Sequence, residues 1–157
     1  MASAVDRFRE EASRLGLSLK ILEFPEGTRT AAEAAQAVDC DIGQIVKSLV
    51  FMADGRPVLV LASGKNRVDQ VKLASAARAG SIERANADIV RATTGFAIGG
   101  VPPVGHATAM ATFIDEDLLG YDIVFAAAGT PTAIFPITPE DLVRATGGTA
   151  ADLAQPQ

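Results

Sequence analysis

A pair of β-rich runs around Asp54-Gly55 is the sequence feature that most constrains the fold. The runs cover residues 45–53 and 57–63, and most of their residues are β-branched or large and apolar. Asp-Gly favours a two-residue hairpin turn, because both turn positions need a positive φ. The sequence therefore predicts an antiparallel hairpin. Both faces of the first run are mainly apolar, so we expect this strand to be covered on both sides.

Helix and strand signals alternate irregularly along the rest of the chain. Cap residues predict helices that begin at about residues 3, 30, 66–69, 86 and 138. Strands are expected over 18–24, 108–114, 122–128 and 133–137, with a helical turn over 116–119. This order predicts an α+β fold, in which helices surround a mixed, mostly antiparallel sheet that is curled or barrel-like. The length of 157 residues fits a single domain over 1–157.

Composition excludes several classes of protein. One cysteine, Cys40, rules out an intramolecular disulfide and fits a reducing cytoplasm, where we expect the protein to act. With one histidine, His106, the chain lacks the four N or S ligands of a structural zinc site, and we expect no metal or cofactor. The N-terminus has no secretory pattern and the apolar runs are too short for a transmembrane helix, so no membrane partner is expected.

The charge is unevenly spread along the chain. The formal net charge of −5 argues against a protein that coats nucleic acid non-specifically. Residues 65–91, however, carry six basic and three acidic side chains, a local charge of +3. Such a run is usually a solvated face, although it could also contact a polyanion. Charge alone favours the solvated face.

Lys47 lies within the first strand of the predicted hairpin, among apolar neighbours. Lysine is almost never fully buried without a partner. Two interpretations stay open. Either the side chain reaches water along its aliphatic stem, or its ammonium stands at the mouth of a pocket and holds a carbonyl or phosphate oxygen of a substrate.

A loop rich in glycine and proline follows the helix predicted to begin at residue 86. Six glycines and prolines fall within residues 95–105. The loop could be a tight connection, or a rigid wall of main-chain amides and carbonyls that faces a substrate. It lacks the Gly-Lys-Ser/Thr ending of a phosphate-binding P-loop. A Cys40–His106 hydrolase is disfavoured, because Asp39 and Asp41 flank Cys40 and oppose thiolate formation.

Four segments together resemble the YbaK / prolyl-tRNA synthetase-associated editing-domain family. They are the strand Ile45-Val46-Lys47-Ser48-Leu49-Val50-Phe51, the segment Ala62-Ser63-Gly64-Lys65-Asn66-Arg67-Val68-Asp69, the Gly-x-x-x-Pro loop from Gly99 to Pro103, and the ending Ile137-Thr138-Pro139-Glu140-Asp141-Leu142. The resemblance covers most of the chain, from about residue 30 to residue 146. The combination of the lysine strand and the loop at this separation is specific, whereas either alone would be weak.

The resemblance implies that the protein hydrolyses the aminoacyl ester of mischarged tRNA, usually tRNA(Pro), in trans as a free-standing cytoplasmic domain. Prolyl-tRNA synthetase would be a second potential partner. Lys47 matches the family's essential lysine, and Gly99 and Gly100 belong to the loop that positions the attacking group, so these three are the expected catalytic residues. An aminoacyl ester is already activated, so main-chain dipoles that orient a water and stabilise the oxyanion suffice, without a metal or a protein nucleophile.

Further residues take roles through the same resemblance. The expected substrate-binding residues are Ser48, Val101, Pro102, Pro103, Gly105, His106, Ala128 and Gly129. The basic stretch becomes a tRNA backbone contact, for which we expect Lys65, Arg67, Lys72 and Arg78. Residues 126–129 and Ile134 lack both the polar groups of cysteine-removing members and the His-Pro and Asn-rich run of the alanine-removing branch. This favours a small aliphatic substrate, alanine or 2-aminobutyrate, which differ by one methylene.

Two other functions stay open. The chain could be a non-catalytic module that binds tRNA or a synthetase, which would keep the basic stretch without depending on the loop geometry. It could also be a small-molecule hydrolase that uses Cys40. Release of free amino acid from mischarged tRNA separates an enzyme from the binding module. Iodoacetamide separates the Cys40 hydrolase, because the editing mechanism has no protein nucleophile.

Overall fold

The computed structural model describes residues 3–25, 27–28 and 30–156. Within these ranges the helices are α1 (Ala4–Arg14), α2 (Ala31–Val38), α3 (Gln70–Ala77), α4 (Ala87–Thr94) and α5 (Pro139–Thr146). The strands are β1 (Leu22–Glu23), β2 (Val46–Ala53), β3 (Arg56–Ser63), β4 (Ile82–Arg84), β5 (Ala111–Asp115), β6 (Val124–Ala127), β7 (Ala133–Ile137) and β8 (Thr149–Ala151). Short 3-10 turns at Ile42–Gln44 and Glu116–Gly120 precede β2 and follow β5. None of the helices in this part of the chain has the length and apolar character needed to cross a membrane.

The predicted hairpin is confirmed. β2 and β3 pair antiparallel along their whole length, from Val46 opposite Ser63 to Ala53 opposite Arg56. Asp54 and Gly55 both have a positive φ, 50° and 80°, as a turn that follows the twist of the strands requires. The Asp54 carboxylate also accepts hydrogen bonds from the N–H groups of residues 80 and 81, which fastens the tip of the hairpin to the segment before β4.

The strands form two open sheets. The larger sheet has the order β4-β2-β3-β5-β8, with antiparallel pairs on the β4 side of β3 and parallel pairs on the β8 side. The smaller sheet, β1-β7-β6, is antiparallel. A bridge between Ile45 and Phe125 connects the two. The α+β class and the mixed, mostly antiparallel pairing are confirmed, but the barrel-like form is not, because among the described strands β4 and β8 stay at opposite edges of the larger sheet.

Side-chain caps set the first residue of the helices. The caps predicted from the sequence at α1, α2, α4 and α5 are all present: Ser3, Thr30, Asn86 and Thr138. α3 begins after Asp69, whose carboxylate accepts from the N–H groups of residues 71 and 72. Asn66, the first residue of the range 66–69 predicted for the start of this helix, is instead buried and bonded to β5 and the turn that follows it.

Three strands differ from the prediction. The strand expected over 18–24 is paired at β1 alone, while the apolar side chains that precede it pack directly on the core. The sequence does not predict β4 and β8, because each has only three residues and no apolar alternation. They become strands through pairing, because β4 hydrogen-bonds to the backbone of β2 and β8 to the backbone of β5.

Two apolar clusters lie on opposite faces of the larger sheet. Val50 of β2 belongs to a cluster with Phe8 of α1 and Phe135 of β7, whose rings stack with centroids 4.8 Å apart. The next residue of β2, Phe51, belongs to a second cluster with Leu73 of α3. Since successive side chains of a strand point to opposite faces, β2 is covered on both sides, as the sequence predicts.

The glycine- and proline-rich loop between α4 and β5 packs against the turn between β6 and β7. A Cβ added to Gly100 would lie 2.7 Å from Thr130 Cα and 2.8 Å from the Thr130 carbonyl carbon. Gly100 is not among the residues with a positive φ. A glycine is therefore needed here because two main chains approach closely, and not because of an unusual backbone angle.

We expect Gly100→Ala to lower the free energy of unfolding by about 1–3 kcal/mol, the usual cost of adding a group to a tightly packed site. The atoms that would meet the new methyl group belong to the backbone of residues 129 and 130, so no side chain can rotate away. Urea unfolding of the wild type and the variant measures this difference.

Gly120→Ala is the matched control for this substitution. Nothing lies within 4 Å of the position that its Cβ would occupy, so the added methyl group should cost much less. Equal free energies of unfolding for Gly100→Ala and the wild type would contradict the close contact.

Candidate active site

A cavity of about 370 Å³ opens between β2, β4, the beginning of α2 and the glycine- and proline-rich loop, and β6 and β7 complete its wall. Most of the wall is apolar and includes Ala31, Ala34, Ile45, Phe125, Ala127 and Ile134. The polar groups on the wall are Thr28, Thr30, Lys47, Ser48 and Arg84. A mainly apolar cavity with a few polar groups is typical of a site for a small ligand.

Lys47 brings a positive charge to this wall. It is the second residue of β2, pairs with Ala62 of β3, and is half-buried. Its Nζ donates a hydrogen bond to the main-chain oxygen of Asn66. An ammonium has three N–H donors, and this hydrogen bond is the one that Lys47 Nζ makes within residues 3–25, 27–28 and 30–156, so two donors remain for a ligand.

The surroundings of Lys47 work against its charge. Burial lowers the pKa of Lys47 below its usual value, because the ammonium loses hydration. The Asp115 carboxylate raises this pKa, whereas Arg67 and Arg84 lower it further. Among the charged side chains of the described residues that act on this ammonium, two are cations and one is an anion, so an anionic or carbonyl oxygen from a ligand would find a favourable position there.

Ser48, next to Lys47, also lines the cavity. Its Oγ is buried and has no hydrogen-bond partner within residues 3–25, 27–28 and 30–156. A buried hydroxyl that is left without a partner is uncommon and costly. Ser48 is thus a cavity residue, as predicted, while its contact with substrate stays a prediction.

The loop contributes two of its predicted residues to the cavity. Gly99 and Val101 line the wall, and Gly99 has φ +90°. Gly100 lies between them but does not line it, and its N–H donates to the Ala97 carbonyl at 2.9 Å. The structure therefore gives Gly100 a role in packing the loop, and its expected catalytic contact stays a prediction.

The rest of the loop is packed inside the protein. Pro102 and Pro103 are buried and do not line the cavity. The Pro102 carbonyl accepts a hydrogen bond from His106 Nε2 at 2.7 Å, and Gly105 between them has φ +89°. Burial lowers the pKa of His106, although the bond to Pro102 raises it in part. His106 thus closes the loop on itself, and these four residues support the wall without forming it.

Ala128 and Gly129, which the sequence analysis expects to contact substrate, lie just beyond the cavity wall. Both are buried, and a Cβ added to Gly129 would lie 2.7 Å from the Ala4 carbonyl oxygen at the start of α1. They do not line the cavity. Ala126 and Ala127 of β6, just before them, do. Their small side chains leave the space that the cavity occupies.

The four predicted tRNA contacts have different surroundings. Lys72 is already used within the protein, because its Nζ donates to the Asp152 carboxylate at 3.0 Å and to the Ala154 carbonyl at 2.7 Å. Lys65 is exposed and lies 6.0 Å from the centre of the Tyr121 ring. Arg67 and Arg78 are also exposed. Only Arg67 among these four acts on the charge of Lys47.

Arg84 is a cavity residue that the sequence analysis did not assign. It ends β4, lines the wall, and places its guanidinium 5.4 Å from the centre of the Phe51 ring. Its place in the basic stretch of residues 65–91 is the one feature of the sequence that points to a functional role for Arg84. Its role could not be separated from those of its neighbours because β4 forms only by pairing with β2.

Cys40 lies outside the cavity wall. Burial raises the pKa of its thiol, and the neighbouring Asp41 and Asp39 raise it further, as their position in the sequence suggests. Its Sγ donates to the Asp41 carbonyl at 3.3 Å. This environment does not favour a thiolate nucleophile. In the described ranges no three His, Cys, Asp or Glu side chains are grouped to hold a metal ion.

Several known proteins are similar to this chain. A crystal structure described as a proposed trans-editing enzyme for prolyl-tRNA synthetase shares 47% identity and a TM-score of 0.94 over 99% of both chains. Enterococcus faecalis EbsC, named as a proposed Cys-tRNA(Pro)/Cys-tRNA(Cys) deacylase, is 27% identical over 83% of this chain and 80% of its own length. The proline–tRNA ligase of Lactobacillus acidophilus is 32% identical over 83% of this chain, which spans 23% of the ligase.

A family model agrees with these similarities. The model described as the aminoacyl-tRNA editing domain matches residues 25–145. This range contains the lysine strand, the glycine- and proline-rich loop and every residue on the cavity wall. The chain belongs to the aminoacyl-tRNA editing domain family.

Proposed function

We propose that this protein hydrolyses the ester of mischarged tRNA(Pro) in trans and removes a small aliphatic amino acid. The observation that carries the proposal is that Lys47 lines the wall of an apolar cavity together with Gly99 and Val101. Membership of the editing-domain family supports the reaction class. Similarity over 99% of both chains to a proposed trans-editing enzyme supports action in trans.

The reaction needs little from the protein beyond binding and positioning. Water adds to the ester carbonyl carbon, the bond from that carbon to the ribose oxygen breaks, and a proton passes to the ribose oxygen. The products are a free amino acid and a tRNA with its terminal hydroxyl restored. The Lys47 ammonium donates to the oxyanion that develops or to a phosphate oxygen of the terminal adenosine, and Gly99 lets the main chain approach the substrate.

The cavity wall supports the proposal that the amino acid removed has a small aliphatic side chain. Ala126, Ala127 and Ile134 line the cavity and offer no polar side chain to a substrate thiol. An apolar wall of this kind binds a methyl or ethyl group through the hydrophobic effect. Alanine and 2-aminobutyrate both satisfy this chemistry.

The tRNA is proposed to approach from the side of Arg67 and Arg84. Both guanidinium groups act on the charge of Lys47, so they lie where phosphates near the ester would pass. Lys65 and Arg78 serve as outer contacts in this arrangement. Lys72 is left out, because its ammonium is paired with Asp152.

We expect Lys47→Ala to reduce the rate of ester hydrolysis by about 100- to 1000-fold, as removal of one preorganised donor to an oxyanion does. Lys47→Arg should also be slow, because a planar guanidinium cannot replace a compact ammonium held against the Asn66 carbonyl. Single-turnover deacylation of alanyl-tRNA(Pro) measures both rates.

The exposed Lys20 provides the control for this experiment, because it lies outside both the cavity wall and the basic stretch. Lys20→Ala should hydrolyse the ester at the wild-type rate, and circular dichroism should show that all three variants are folded. Near-native turnover by folded Lys47→Ala would refute the proposed function.

Arg67→Gln and Arg84→Gln should each weaken binding of tRNA(Pro). Each phosphate contact that is lost should also reduce the slope of log affinity against log salt concentration by about 0.7–0.9. Lys72→Gln is the matched control and should leave that slope unchanged, because its ammonium is bonded to Asp152 and Ala154. Equal slopes for the wild type and both arginine variants would place the tRNA elsewhere.

Ala127→Leu should narrow the cavity and slow the removal of 2-aminobutyrate more than that of alanine. Since one methylene is worth about 10- to 200-fold in such pockets, we expect the ratio of the two rates to change at least tenfold. Ala127→Ser keeps nearly the same volume and should change the ratio less. Single-turnover rates on both aminoacyl-tRNAs give the ratio. A ratio that Ala127→Leu does not change would show that residue 127 does not contact the side chain of the esterified amino acid.

A further inference from the structure

A buried carboxylate lies behind the cavity wall. Asp115 ends β5 with 1% of its surface exposed, and it does not line the cavity. Its Oδ2 accepts from the Ser63 N–H at 3.0 Å and from Asn66 Nδ2 at 2.9 Å, and its Oδ1 accepts from the Asp117 N–H at 3.0 Å. These three donors offset the cost of burying a carboxylate.

Asn66 is fixed at both its side chain and its main chain. Nδ2 donates to Asp115 Oδ2 and to Asp117 Oδ2, the latter at 2.8 Å, and so uses both amide hydrogens. The main-chain N–H donates to the Ser63 carbonyl at 2.9 Å. With these groups held, the main-chain oxygen of Asn66 is directed at Lys47 Nζ, from which it accepts a hydrogen bond.

The strand register explains why the carboxylate and the ammonium are neighbours. Lys47 pairs with Ala62 across the hairpin, and Leu61 pairs with Ile114 across β3 and β5. Asp115 directly follows Ile114, so it lies at the same level of the sheet as Lys47, with β3 between them. The turn that follows β3 carries Asn66 across this gap.

We propose that Asp115 is a positioning residue, which acts through Asn66 to hold the Lys47 ammonium at the cavity wall. This inference rests on the proposed function, because it concerns the same lysine. Asp115 is also the anion among the charged groups that act on Lys47, opposite to Arg67 and Arg84. It therefore favours the protonated ammonium as well as its position.

Asp115→Asn tests the inference, because an amide cannot accept from all three donors and carries no charge. We expect single-turnover deacylation to fall about 100-fold, which a misplacement of about 1 Å can cost. The pKa of Lys47 should also fall below its wild-type value, since the anion that raises it is gone. NMR of lysine labelled with ¹³C measures this pKa without substrate, and the Lys47→Arg spectrum identifies the Lys47 signal.

Asp122→Asn is the control, because it removes the same charge from an exposed position. Both its deacylation rate and its Lys47 pKa should equal those of the wild type. A purely structural role for Asp115 would lower the folded fraction but would leave the deacylation rate of the folded protein unchanged. A folded Asp115→Asn variant that deacylates at the rate of Asp122→Asn overturns the inference, even if the pKa of Lys47 has fallen.

Asn66→Ala replaces Asp115→Asn if the latter does not fold. It keeps the main-chain carbonyl but removes the amide that anchors it to Asp115, so deacylation should again fall, and a wild-type rate overturns the inference. The proposed function is tested separately. Rapid deacylation by Lys47→Ala would refute that function, whereas slow Lys47→Ala together with fast Asp115→Asn would refute the positioning role alone.

Discussion

The antiparallel pairing of β2 with β3 is the constraint on which the rest of the structure depends. Both strands are paired along their whole length, and apolar clusters cover both faces of β2. A charged side chain near the start of β2 therefore cannot simply turn towards bulk water. Lys47 reaches a cavity on the protein surface, and the same pairing returns the chain after β3 so that the Asn66 carbonyl meets its ammonium.

The electrostatics of the site follow from this geometry. Burial and two arginines oppose the charge of Lys47, while Asp115, two strands away in the same sheet, supports it. A protein of net charge −5 thus gathers positive charge at one opening. Such an arrangement suits a polyanion that binds with one end in the cavity. A local positive potential attracts its phosphates, while the rest of the surface does not bind nucleic acid non-specifically.

Rigidity comes from contacts between main chains. Gly100 packs on the backbone of Thr130, and His106 closes the loop on the Pro102 carbonyl. Arg7 of α1 donates to the Gly95 carbonyl at 3.0 Å and lies over the Phe96 ring. A wall that is held from several sides can keep Gly99 and Val101 at fixed positions, as the proposed reaction requires.

Local signals in the sequence determined the hairpin, the caps of four helices and the unusual place of Lys47, because turn geometry, capping and strand alternation act over a few residues. Only the tertiary structure decided which side chains reach the cavity. Arg84 lines the cavity because β4 pairs with β2. Lys72 instead forms an ion pair with Asp152. Gly100 packs against the backbone of Thr130, where a larger residue would not fit. These contacts join residues far apart in the chain, and no local pattern encodes them. Tertiary packing alone therefore decides which residues line the cavity and which lie behind its wall.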